Sequence, residues 1–146
     1  MAEGFSEGWA ANLAKVLEND TDFLQKVDKL NRSFDVHILP SPEHGVTEDR
    51  YFSISFPSCG YHWGQAPAPW GESEYEMEGK YESFYRVNEG IIGLVPALME
   101  QEMLLPRGSI SYLARFLPAI ERYFELSRQQ TDSYPGDFQV SDQRPD

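Results

Sequence analysis

Cysteine is almost absent from this chain of 146 residues: Cys59 stands alone. No internal disulfide can form, and the usage fits a reducing cytoplasm. Cations are scarce too, with 12 Lys and Arg against 24 Asp and Glu and a formal net charge of −12. Such a field repels phosphate backbones, so no nucleic-acid partner is expected. It also argues against tight docking on an anionic membrane surface, where clustered Lys and Arg would be needed. No apolar run approaches the ~18–20 residues of a spanning helix, so no stable membrane insertion is expected. Residues Met1 to Phe5 lack the charged and apolar regions of a secretory signal, and Gln143-Arg144-Pro145-Asp146 is not a peroxisomal address. The expected location is the cytoplasm. A phosphate-cradling glycine loop, a serine-centred elbow, a dinucleotide fingerprint and any internal repeat are likewise missing, so no cofactor is expected.

What is present suits one domain with a full core: 40% hydrophobic residues, including three Trp, eight Tyr and nine Phe. Ser6 is placed to cap a first helix carrying Trp9, Leu13, Val16 and Leu17 on one stripe. Asp20 or Thr21 caps a second, with Phe23, Leu24, Val27 and Leu30. From Arg32 the period falls to two. Phe34, Val36 and Ile38 form one half-buried strand and Phe52, Ile54 and Phe56 another, paired antiparallel. Cys59, Tyr61 and Trp63 alternate as a third strand. Residues 65–71 hold too much proline for an interior strand, and Tyr75 with Met77 starts a fourth.

A helix with Phe84 and Val87 inward stops at Gly90, and a brief helix follows over 94–99 with Pro96 in its first turn. Met103 to Leu105 reads as a last strand, apolar and covered on both faces. Ser109 or Ser111 opens the final helix, which Pro118 should kink or break. Residues 1–130 are taken as the domain and 131–146 as a polar C-terminal tail whose last few residues are disordered.

The order of elements resembles the sterol-carrier-protein-type-two family across nearly the whole chain. The more specific matches are Tyr75 to Gly79, then Tyr81, Phe84, Tyr85 and Gly90, then Pro96, Ala97 and Met99, and finally Gly108. Trp9, Leu13, Asn19, Asp20 and Phe23 resemble the family's paired N-terminal helices. The chain departs from it at Gln101-Glu102, where the family has Gly-Lys, and at Met103, Leu104 and Leu105, where it alternates lysines. The resemblance implies an α+β domain, a roughly five-stranded, mainly antiparallel sheet covered by about five helices around an apolar tunnel. It implies carriage of a sterol, fatty acyl chain or similar lipid.

Three groups of residues are candidates for contact with such a ligand. Trp63 and Trp70 flank the proline-rich loop, where indoles combine apolar area with a polar handle. Phe84, Ile91, Leu94, Leu98 and Met99 form a prospective wall, though each also serves as ordinary core. Phe116 and Ile120 flank Pro118, where a broken helix leaves a gap. Cys59 and His62 form a single Cys-x-x-His with no second half, and His37 and His44 stand apart, so no metal site is expected. Glu72, Glu74, Glu76 and Glu78 share one face of a strand, a solvated acidic edge and not a catalytic pair.

Carriage is favoured over catalysis, and no catalytic residue is assigned. An enzyme using the same pocket would need Tyr75, Tyr81, Tyr85 or His62 to converge inside it as acid and base. A third alternative is an interaction module that uses its aromatic loop to form a homodimer or to dock on a larger enzyme.

Overall fold

A computed structural model of the protein describes residues 2–142 and Arg144. Helix α1 (Glu7–Glu18) begins where the Ser6 hydroxyl accepts from the Trp9 amide, and α2 (Thr21–Val27) where the Asp20 carboxylate accepts from that of Phe23. Each cap satisfies an orphan N–H of a first turn. Trp9, Leu13 and Leu17 bury one stripe of α1, and Phe23 and Val27 do so for α2. Asp20 also accepts from the Arg122 guanidinium at 3.0 and 2.7 Å, which ties the start of α2 to the last helix.

The sheet has five strands: β2 (Ser33–Leu39), β3 (Arg50–Ser55), β4 (Tyr61–Trp63), β5 (Tyr75–Lys80) and β6 (Leu104–Arg107). A further pair, β1 (Ala2–Glu3) and β7 (Thr131–Ser133), stands apart from it. Its order is β4-β3-β2-β5-β6, with β2 and β5 parallel and every other neighbour antiparallel. Register decides the faces. Phe34 lies between Ile54 and Tyr75, and Val36 between Phe52 and Met77, giving one apolar surface. The opposite surface is polar: Asp35 accepts from the hydroxyls of Ser53 and Ser73, both at 2.8 Å, and His37 stands between Asp49 and Glu78. Glu76 and Glu78 point to that side.

The expected last strand is corrected by its place in the order. β6 lies at the sheet's edge, with Leu104 48% exposed and Pro106 outside, and only the preceding Met103 is buried. Proline is tolerated there because an edge strand has one unpaired side.

Helices α3 (Tyr81–Asn88), α4 (Leu94–Met99), α5 (Ile110–Ala114) and α6 (Leu117–Gln129) cover the apolar surface with α1 and α2. The expected break at Pro118 separates α5 from α6: the proline sits in the first turn of α6, where its missing N–H costs no bond. Ser109 caps α5 by accepting from the Tyr112 amide.

Before α5, Gly108 has φ +116°, and a Cβ there would lie 2.3 Å from Cδ2 of Tyr75. The Tyr75 ring cannot swing away without losing its hydroxyl's bond to the Ser109 carbonyl, 2.9 Å long. Gly108→Ala should therefore lower stability by about 3 kcal/mol from combined backbone strain and overpacking. Thermal unfolding should show a fall of roughly 10 °C. A fall below about 3 °C would mean the turn relaxes freely.

The segment after α6 is not a separate tail. β7 pairs parallel with β1, and Tyr134 and Phe138 are buried in the same core as the helices. The Gly136 backbone lies so close to His44 that a Cβ would meet its carbonyl oxygen at 2.0 Å, and the Asp137 amide donates to that oxygen. Arg144 reaches back to Glu89. Gln143, Pro145 and Asp146, part of the stretch expected to be disordered, lie outside the described residues.

Candidate functional site

Between the apolar sheet face and the helices lies a cavity of about 90 Å³. Its floor is Phe34 and Val36 of β2, Phe52 and Ile54 of β3, and Met77 of β5. Helices α2, α3 and α4 supply Phe23, Phe84 and Leu94 as walls, and Leu113, Ala119, Ile120 and Tyr123 close it from α5 and α6. Phe5 enters from the N-terminal turn at φ +59°. The Arg50 guanidinium fixes that turn by donating to the Gly4 and Phe5 carbonyls, and the Tyr81 hydroxyl donates to the Gly4 carbonyl at 2.6 Å.

The expected apolar tunnel is, in this conformation, a small void. At 90 Å³ it falls short of the ~150 Å³ that admits benzene in an engineered core. Seven of its lining residues are phenylalanines, whose rings turn inward and fill the space. Van der Waals contact between such rings replaces what a ligand would supply.

Of the candidate ligand contacts, Phe84, Leu94 and Ile120 line this cavity. Leu98 is buried away from the cavity and faces a shallow groove beside Met103 and Ile110. Ile91 and Met99 are 51% and 69% exposed. Phe116 packs on Tyr112 at the α5–α6 corner. Trp63 is one ring removed, stacked on Phe52 with centroids 6.3 Å apart. Trp70 lies on the polar side of the sheet, where its indole N–H donates to Ser73. Phe5, Phe23, Phe34, Phe52, Phe56, Tyr123 and Phe124 line the cavity without having been candidates, because an inward core position and a cavity wall carry the same signal in sequence.

The groups an enzyme would need do not meet here. The hydroxyls of Tyr75, Tyr81 and Tyr85 donate to the carbonyls of Ser109, Gly4 and Gln139, and His62 sits beside the carbonyl of Gln65. None of the four lines the cavity. Burial, with a smaller push from Glu18, raises the Cys59 thiol to about 11, which leaves it protonated and poorly nucleophilic at neutral pH. Among the described residues, Glu43, His44 and Glu82 bring possible ligand atoms within 4.8 Å of one another. That surface group includes neither Cys59 nor His62, and His44 Nδ1 is already 3.0 Å from Asp137. No helix among the described residues is long and apolar enough to cross a membrane.

No protein-family model and no curated protein matches the chain. Solved structures do. A crystal structure of sterol carrier protein 2 superposes with a TM-score of 0.72 at 20% identity, over 86% of this chain and 97% of the other. The protein TT1886 of Thermus thermophilus, described as possibly a sterol carrier protein, gives 0.75 at 20% identity over 94% and 97%. Palmitated SCP2L2 from Aedes aegypti gives 0.56 at 12% identity over 79% and 94%. At these identities the likeness is one of fold: this chain, with its five-stranded mixed sheet and helical cover, has the sterol carrier protein 2 fold.

Proposed function

We propose that the protein binds and carries an apolar small molecule, a sterol, fatty acyl chain or similar lipid, in the cavity between sheet and helices. The observation that carries this reading is the lining: sixteen apolar residues and one tyrosine, with no acid–base pair and no cation. The palmitated form of a protein with this fold supports it as well. Binding would draw on desolvation, at about 25 cal/mol per Å² of apolar surface before ordering costs. The phenyl rings must move apart for a lipid to enter. α5 is the wall suited to yield, because it is five residues long and buries only Leu113. The buried lone cysteine fits work in a reducing cytoplasm.

Catalysis finds no support in this lining. The interaction module needs Trp63 and Trp70 exposed together, whereas Trp63 is half-buried against Phe52 and Trp70 faces the other side of the sheet. The test is native mass spectrometry of freshly purified protein, followed by titration with fluorescent fatty alcohols, fatty acids and sterols. The expected results are a co-purifying lipid or saturable one-to-one binding, with slower deuterium uptake in α5 on lipid addition. Absence of saturable binding by every probe would end the carrier reading.

A further inference from the structure

Tyr123 is the one residue lining the cavity whose side chain carries an oxygen or nitrogen. It enters from α6 with its ring among those of Phe23, Phe56 and Phe124, centroids 6.4, 6.3 and 4.9 Å away. Four tyrosines of the core spend their hydroxyls within the protein: Tyr75, Tyr81 and Tyr85 on backbone carbonyls and Tyr134 on Glu89. The Tyr123 hydroxyl makes no hydrogen bond with another described residue. It is a donor and an acceptor left unused in an otherwise oily chamber.

Charge narrows what that hydroxyl can serve. No Lys, Arg or His lines the cavity. Arg122, its neighbour in the chain, is committed to Asp20 and Glu125. Arg32 and Arg115 lie over the Tyr112 ring, at 4.7 and 5.8 Å from its centroid. An ionised carboxylate would enter a dry space with no counter-charge, inside a chain whose net charge is −12. Burial raises the Tyr123 hydroxyl above its ordinary range, so it stays a neutral phenol.

Resting on the carrier reading, we infer that this cavity selects lipids with a single uncharged hydroxyl or carbonyl, held by the Tyr123 hydroxyl, and disfavours ionised carboxylates. A hydroxyl or carbonyl can pair with the phenol and stay neutral. A carboxylate would gain the same single bond and lose far more hydration.

The test uses the full chain and three probes of equal carbon count: a fatty alcohol, the fatty acid held above its pKa, and the parent alkane. Each competes against one fluorescent fatty alcohol. The alcohol should bind roughly tenfold tighter than either other probe. Tyr123→Phe, which removes one atom, should bring the alcohol to the alkane's affinity and leave the alkane and the unfolding temperature unchanged. Equal affinities for acid and alcohol, or an alcohol affinity that survives Tyr123→Phe, would overturn the selectivity and leave the carrier reading standing. Failure of all three probes to bind would remove both.

Discussion

Replacing Arg144 with alanine should destabilise the protein by about 3–5 kcal/mol, because it strands a buried carboxylate. Glu89 caps the end of α3 with its side chain 0% exposed. Arg144 donates to it from Nε at 2.9 and 3.0 Å and from Nη2 at 2.6 Å. The Tyr134 hydroxyl and the Ser141 amide complete the shell. The same guanidinium donates to the carbonyls of Arg128 and Thr131, so it also fastens the end of α6 and β7. Against a typical total of about 5–15 kcal/mol, such a loss should lower the unfolding temperature by roughly 10–20 °C. A double variant, Arg144→Ala with Glu89→Leu, should recover part of it, since no charge is then left buried.

The pH dependence has a definite sign. Burial pushes the Glu89 carboxyl upward, but the bonds from Arg144, Tyr134 and Ser141 outweigh it and hold the group below the ordinary carboxylate range. A carboxyl with a depressed folded pKa adds stability that is complete above the unfolded value near 4.5 and is lost as pH falls through the folded value. Urea unfolding at pH 7 and below pH 4 should therefore show Arg144→Ala closing most of its gap with wild type in acid. A loss under about 1 kcal/mol at neutral pH would show that the pair is dispensable.

Local rules made much of the fold readable. Ser6 and Asp20 cap their helices with side chains placed three residues ahead of the amides they accept from. The alternation Phe34, Val36, Ile38 set one face of β2, and Pro118 marked the break between α5 and α6. What stayed hidden depends on contacts distant in sequence. Glu89 and Arg144 are 55 residues apart, and a glutamate at a helix end reads as a surface group. Tyr134 and Phe138 lie in a polar stretch without periodicity, yet both rings reach Tyr85. Met103 to Leu105 has the pattern of an interior strand because its apolar run says nothing of its rank in the sheet. Ile91 and Met99 are apolar and exposed, which only the third dimension reveals. Core and cavity wall share one pattern, so Phe84, Leu94 and Ile120 could be separated from Leu98 only by the fold.

Whether the cavity is a working chamber or a packing defect can be decided at Ala119. This residue is 3% exposed on α6 and lines the void. Ala119→Leu adds three carbons to a space of about 90 Å³. Each buried carbon contributes about 0.8 kcal/mol where it fits, and overpacking subtracts about 1 kcal/mol or more. The expected balance is a gain of roughly 1 kcal/mol and a rise of about 3 °C in the unfolding temperature. Lipid affinity should move the opposite way and fall by at least about tenfold, because the leucine occupies the volume into which the rings must open. A packing defect that is merely filled gives the first change without the second. Higher stability with lipid affinity intact would place the ligand elsewhere on the molecule. Lower stability together with lost binding would show a space already closed to side chains, and a smaller Ala119→Val should then restore both.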